Sequence, residues 1–436
     1  MENQYLIAVI GAGPAGLFAA RELAQQGVHV ALFNRDIKAG GLAEYGIYPD
    51  KHVMKEGLRK QFRQTLEQPN IDYFGNITIG SNGALTFEEL RALGFDALLV
   101  TVGAQGTKSL GLPGEELEGV YHAKDVVYFY NKLPPFSQKK HGFGKRSAII
   151  GAGNVMVDIA RHLIFVQKVQ EVISVVRRGP AEVNFTKEEM KHLVSYLDLQ
   201  DFEKEMARTL PVLQAINQDP EIGRHKVLDA LAKADPKTEN ATFRFDFLAS
   251  PVEMFGEHGK LTKLEVEENT LAMKGTETKA VGTGNRRTLD LDSVIFAIGD
   301  KVDNSFGLPV DSNEFVKNQS PSFPVDGNSY ESPIEGVFVG GWSRKASEGL
   351  VGVARKDGIN AAKAVLQYLQ TKQPANTSPQ AVTARIKGLN KPVIMKEDLK
   401  RLEGIEAEEA KKRGLEEFKF ATNEEMVQAM GLIETA

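Results

Sequence analysis

Residues 5–33 read YLIAVIGAGPAGLFAARELAQQGVHVALF, and the fold follows from how this stretch divides. YLIAVI is a short apolar run of the kind that forms a strand. Gly11-Ala12-Gly13-Pro14-Ala15-Gly16 is a full GxGxxG. LFAARELAQQ is helix-like, and VHVALF at 28–33 is a second strand-like run. Strand, glycine turn, helix and strand in this order make a dinucleotide-binding unit. The first glycine permits the tight turn, the second lets a pyrophosphate approach the backbone, and the third lets helix and strand pack closely. Unpaired N–H groups at the helix start then face the phosphates.

The unit occurs twice. Residues 150–153 repeat the IGAG of 10–13, and Ala160-Arg161 repeats Ala20-Arg21 at the same offset. RSAII precedes the second turn, and EVISVV at 171–176 follows its helix. The second turn reads Gly151-Ala152-Gly153-Asn154-Val155-Met156, with methionine where the third glycine would stand. Arg177 and Arg178 end its second strand. An acid there would favour NAD, whereas adjacent arginines can clasp a 2′-phosphate in charge-assisted hydrogen bonds. The bland alternative is an exposed basic turn. In the first unit the ribose-holding acid is replaced by Asn34, which either hydrogen-bonds ribose without charge or simply starts a loop. Gly40-Gly41-Leu42 follows, either a segment running close to a flat ring or a plain loop.

Composition narrows the chemistry. The 436 residues carry a net charge of −5 and no cysteine. The charge argues against a dedicated nucleic-acid binder. The missing cysteine excludes a disulfide framework, a redox dithiol, a thiolate nucleophile and a cysteine-ligated iron–sulfur cluster. Electrons, if they move here, must pass through a bound cofactor. Neither a signal peptide nor a spanning helix is expected, and the reading is a cytoplasmic protein.

The chain resembles the adrenodoxin reductase-like family of ferredoxin–NADP⁺ reductases, and more distantly the small subunit of glutamate synthase. The resemblance rests on VIGAGPAGLFAA, AGGLAEYGIYPD, YFGNITIG, VGAQGTKSLGLPGE, FYNKLPPF, IIGAGNVMVDIAR, VVRRGPAEVNFTKEEM, GGWSRKASEGLVG and the tail KPVIMKEDLKRLEGIEAEEAKKRG. It implies an α/β protein with two Rossmann-like domains, a split FAD domain holding an inserted NADP(H) domain, and a helical C-terminal appendage. The divisions are 1–105 and 331–371 for FAD, 106–330 for NADP(H), and 372–436 for the extension, read as a solvated packing appendage. For FAD it implies Ala15, Asn34, Leu42, Ile77, Trp342, Gly349, Leu350 and Val351. For NADP(H) it implies Ala152, Gly153, Asn154, Val155, Arg177, Arg178, Glu189 and Gly349.

Three departures stand out. Asn34 replaces the family's acid. His52 is displaced by one position within Pro49-Asp50-Lys51-His52, so it reads as a surface histidine. Lys345-Ala346-Ser347-Glu348-Gly349 replaces Arg-Gly-Pro-Thr-Gly. No catalytic side chain is required, because the cofactors carry the electron chemistry. The implied partner is ferredoxin or a similar acidic one-electron carrier. Lys55, Arg59 and Arg63 share one helix face and form a candidate docking surface, with Arg344, Lys345, Arg355 and Lys356 as another. The competing readings are an NADPH dehydrogenase acting on a quinone or other small acceptor, and a nucleotide-sensing subunit without catalysis.

Overall fold

The computed structural model describes residues 4–433. Two compact units emerge. One holds the chain up to Lys108, Tyr128–Gln138, and everything from Gly299 onward; the other holds Ser109–Val127 and Lys139–Ile298. Each is built on its own glycine turn.

In chain order the first unit opens with β1 (Leu6–Ile10), α1 (Pro14–Gln25), β2 (His29–Phe33), α2 (Leu42–Tyr45), α3 (His52–Leu66), β3 (Ile71–Phe74) and β4 (Ala97–Val100). The second unit supplies β5 (Val120–His122), β6 (Arg146–Ile150), α4 (Asn154–Arg161), β7 (Glu171–Val176) and β8 (Thr242–Phe247). It continues with β9 (Ala249–Glu257), β10 (Lys260–Lys274), β11 (Glu277–Asp290) and β12 (Ser293–Phe296). The chain then returns to the first unit for β13 (Val337–Val339), α5 (Val351–Leu369) and α6 (Lys396–Arg413).

The first sheet runs β13-β4-β1-β2-β3, parallel throughout. Every residue of β1 is buried, as a strand covered on both faces requires. The second sheet runs β5-β12-β6-β7-β8, again parallel. A separate antiparallel sheet, β9-β10-β11, carries the long hairpin of the second unit.

The unit boundaries depart from the expected divisions for a packing reason. The chain rejoins the first unit at Gly299 rather than at 331. Phe306 and Phe315 bury their rings beside Phe87 in the first sheet's core, with ring centroids 5.6 Å apart for Phe87–Phe306 and 5.4 Å for Phe306–Phe315. Residues 128–138 also belong to the first unit, where Tyr128 and Leu133 cluster with Tyr45. The C-terminal extension packs onto the first unit more deeply than a solvated packing appendage would: Leu399, Leu402, Met426 and Val427 lie in the first unit's core. Among the described residues no helix is long and apolar enough to cross a membrane.

Candidate functional site: two dinucleotide turns

At the first turn Gly11 takes φ +107°, and a Cβ there would lie 2.5 Å from the Thr101 carbonyl oxygen. Thr101 Oγ1 donates to the carbonyls of Ile10 and Gly11, at 3.1 and 2.9 Å. A Cβ on Gly16 would sit 1.9 Å from the Gly11 oxygen, so this glycine is what brings α1 onto β1. Gly13 is different: a Cβ there would meet nothing within 4 Å. It caps α1 with no side-chain hydrogen bond, Pro14 opens the helix, and no acid occupies the first turn. Unspent amides thus face open space, the arrangement an anion fits.

The rest of this site closes around that turn. Gly40 N–H donates to the Ala12 carbonyl at 2.7 Å, and a Cβ on Gly41 would come within 2.9 Å of Gly13 Cα. Leu42 starts α2 beside it, half-buried. Ile77 is buried, and its N–H donates to the Asn34 carbonyl at 2.8 Å. From the other side Gly341 would clash through a Cβ with Ala15 Cβ at 2.7 Å, and Gly358 with the Ala15 carbonyl at 2.1 Å. These contacts set α5 against α1. Gly349, with φ +74°, and Leu350 lead into the start of α5 at Val351, which has no side-chain cap and no acid in its first turn. Half-buried Trp342 donates from Nε1 to the Glu348 carbonyl at 2.9 Å, closing the 342–348 loop on itself. A recess of about 60 Å³ lies between Trp342, Arg344, Glu348 and Val353.

The second turn repeats the first. Gly151 takes φ +134°, and a Cβ would lie 2.5 Å from the Ala297 oxygen. Ala297 thus stands where Thr101 stands at the first turn, while the hydroxyl that donates to the glycine carbonyl comes from the neighbouring strand: Ser174 Oγ to Gly151 O at 2.8 Å. Gly153 again has nothing within 4 Å of a Cβ, and it caps α4 without a side chain. Met156, at the third-glycine position, is fully buried, so α4 meets its strand through a side chain rather than through backbone. Val155 is exposed. The segment 184–189 is tied to this turn: Asn184 N–H donates to the Ala152 carbonyl at 2.8 Å, and Thr186 N–H to Asn154 Oδ1 at 2.8 Å. Glu189 follows, half-buried, on the short helix Lys187–Met190 that Thr186 caps. The main chain of Arg177 and Arg178 is pinned by Asn269 Nδ2, at 2.8 Å from the Arg177 carbonyl, and by Leu248 N, at 3.1 Å from the Arg178 carbonyl. Among the described residues no hydrogen bond or ion pair engages either guanidinium.

Residues 5–197 match the model of the pyridine nucleotide-disulphide oxidoreductase family. NADPH-ferredoxin reductase FprA of Mycobacterium tuberculosis is 30% identical over 404 residues, covering 84% of each chain. The chain belongs to the adrenodoxin reductase-like family. Mitochondrial NADPH:adrenodoxin oxidoreductase of Bos taurus is 26% identical over 474 residues, covering 98% of this chain and 92% of the relative. The solved structure of M. tuberculosis FprA in complex with NADPH superposes with a TM-score of 0.82 at 25% identity, covering 98% of this chain and 99% of that one.

The structure places the three positions that the sequence singled out. Asn34 is buried, and its amide is committed to the fold. Nδ2 donates to the carbonyls of Asp36 at 2.9 Å and Lys38 at 3.0 Å, while Oδ1 accepts from Ala12 N at 3.0 Å. Both amide hydrogens are spent, which favours the loop-forming reading. His52 Nε2 pairs with Glu416 Oε2 at 2.6 Å, in the C-terminal extension. Glu348 is exposed, 3.4 Å from Lys345 Nζ.

The docking face on α3 is a correction. Lys55 is only 1% exposed and reaches Glu417 Oε2 at 3.1 Å. Arg59 grips Glu44 with two hydrogen bonds of 2.7 Å and also engages Glu417. Arg63 pairs with Glu56 and lies 3.7 Å from Glu403. The helical spacing does place these three on one side, but the C-terminal extension covers that side with carboxylates. In the other cluster Arg344 is buried and bound to Asp357. Arg355 and Lys356 are exposed; Arg355 lies 4.7 Å over the Phe18 ring, and no ion pair engages either residue among the described residues. Sequence reading missed Glu44, which burial would push up but which Lys38, Lys419 and Arg59 hold well below the carboxylate range. Its only signal was a glutamate beside Gly40-Gly41-Leu42; Lys38 and Arg59 lie near it in the chain, but Lys419 lies hundreds of residues away.

Proposed function

We propose that this protein is an FAD-dependent oxidoreductase passing electrons between NADP(H) and ferredoxin or a similar one-electron carrier. The observation that carries the reading is the doubled turn: two helix starts, each with an open second glycine and no competing side chain. The first turn, with Ala15, Leu42, Ile77, Trp342 and Gly349–Val351 around it, would hold FAD. The second, with Asn154, Val155 and Glu189, would hold NADP(H). When bound, these groups supply hydride transfer from nicotinamide to flavin and single-electron release onward.

The side chains position rather than react. The unspent amides of α1 and α4 take phosphate charge without desolvating a buried cation. Arg177 and Arg178 are free to fork onto a 2′-phosphate, since neither guanidinium has another partner among the described residues. The family model's name includes a disulphide, but with no cysteine the chain cannot relay electrons through a dithiol, so a separate acceptor is required. Relatives named for ferredoxin and adrenodoxin support a small carrier protein as that acceptor. The protein acts in the cytoplasm on this reading, and its exposed cations for docking are Arg355 and Lys356.

The test is an absorbance spectrum followed by anaerobic titration. Flavin bands that bleach with NADPH, and poorly with NADH, are expected. Protein that stays colourless after incubation with FAD would overturn the reading.

A further inference from the structure

The segment Gly40–Leu42, which lies against the first glycine turn, is held from both sides by buried charge. Before it, Lys38 Nζ reaches Glu44 Oε1 at 3.2 Å and Glu406 Oε2 at 2.5 Å. After it, Glu44 accepts from Arg59 and from Lys419 Nζ at 2.9 Å. Lys419 Nζ also donates to the Glu44 main-chain carbonyl at 2.9 Å and stands 4.8 Å over the Tyr45 ring. Glu406 lies on α6, and Lys419 lies in the chain just beyond it. Lys38, Glu44, Glu406 and Lys419 are all buried.

Burying so many charges is a poor way to gain stability, because desolvation consumes most of the Coulombic gain. Its strength is specificity: removing one partner strands another charge in a dry site. Here the ties converge on one short loop. Lys419 is the most telling, because it grips both the side chain and the main chain of Glu44. The main-chain acceptor is one of the carbonyls left unpaired at the end of α2, so Lys419 fixes the end of that helix as well as the Glu44 side chain.

We infer that the C-terminal extension is an electrostatic clamp on the flavin-side loop, with Glu406 and Lys419 as positioning residues that fix Gly40–Tyr45 against the first glycine turn. The role of the clamp in holding FAD rests on the flavin assignment proposed above; the clamping of the loop itself does not.

Two variants test it, Lys419→Met and Glu406→Gln, each in the full chain. Hydrogen exchange is measured on the protein stripped of flavin, and flavin release and visible circular dichroism on the loaded protein. In Lys419→Met, exchange across Gly40–Tyr45 should quicken at least tenfold, with peptides of the second unit unchanged. FAD release should quicken about tenfold, the flavin circular dichroism should change, and NADP⁺ affinity should stay within twofold. Glu406→Gln, which removes the negative charge facing Lys38 but keeps an amide oxygen that can accept from Phe420 N, should show the same pattern at smaller amplitude and decides the matter if Lys419→Met does not fold. Loop exchange within twofold of the parent in the folded variants would overturn the clamp, as would exchange raised equally everywhere. A parent protein that never takes up FAD would instead overturn the proposed function, and the exchange measurement would still decide the clamp.

Discussion

At the scale of single residues, Asn34 is spent on holding the loop that follows β2. Its amide donates to two main-chain carbonyls and accepts from Ala12. A carboxylate there would aim lone pairs at the carbonyls of Asp36 and Lys38. Asn34→Asp is therefore expected to destabilise the protein by about 2 kcal/mol, the cost of leaving buried polar groups unpaired. Urea melts measure this, and an Asn34→Asp variant as stable as the parent would contradict it. Arg177 and Arg178 present the opposite case, since among the described residues nothing in the fold uses their guanidinium groups. Replacing both with alanine should leave stability within about 0.5 kcal/mol, as for surface sites. The preference for NADPH over NADH should fall roughly a hundredfold, about 3 kcal/mol at 1.4 kcal/mol per tenfold. Steady-state kinetics with both nucleotides decide it, and an unaltered preference would place the 2′-phosphate elsewhere.

At the scale of elements, what was legible in the sequence was local. Both glycine turns, their flanking strands, β12, β13 and α5 stand where apolar runs and turn chemistry put them, because parallel strands buried on both faces are written as continuous apolar stretches. The β9-β10-β11 sheet was not legible. Its strands mix charged and apolar residues, with β11 largely exposed, so they carry no clean period. The inward turn of α3 was not legible either. Periodicity gives a shared face but not what covers it, and the cover comes from Glu417 and Glu403, more than three hundred residues along the chain. The same limit applied to the second basic cluster, where Arg344, ahead of α5, is buried against Asp357 while Arg355 and Lys356 on α5 are exposed. Reversing the charge of both exposed residues, Arg355→Glu with Lys356→Glu, should raise the apparent KM for ferredoxin several-fold and flatten its salt dependence. Rim charges act mainly on association rate in this way. NADPH oxidation with a small artificial acceptor should not change, and unaltered ferredoxin kinetics would remove α5 from the docking surface.

At the scale of the whole molecule, the two units differ in how they meet acid. In the first, burial would raise Glu417, but Lys419, Lys55 and Arg59 overcome it and hold the carboxyl at about 2. Its ordinary value is 4.5, so the unfolded chain takes up the proton first as pH falls. The stability it contributes is fully present above 4.5 and is lost as pH falls toward 2. Each unit of pKa is worth about 1.4 kcal/mol, so at most about 3.5 kcal/mol is involved. In the second unit, burial, with His141 adding to it, pushes His162 down to about 4 from 6.5. Here too the unfolded chain binds the proton first, and the loss falls between 6.5 and 4, with a similar ceiling of about 3.5 kcal/mol. The second unit is therefore expected to weaken in milder acid than the first. Hydrogen exchange, corrected for its intrinsic pH dependence, should show peptides of residues 139–298 opening between pH 6.5 and 4 while β1–β4 stay protected. His162→Phe keeps an aromatic ring beside Phe143 and removes the titration, so it should delay that opening. Glu417→Gln should weaken the first unit at pH 7 and match the parent near pH 2. Simultaneous opening of both units in the parent, unmoved by His162→Phe, would show that other groups govern the acid response.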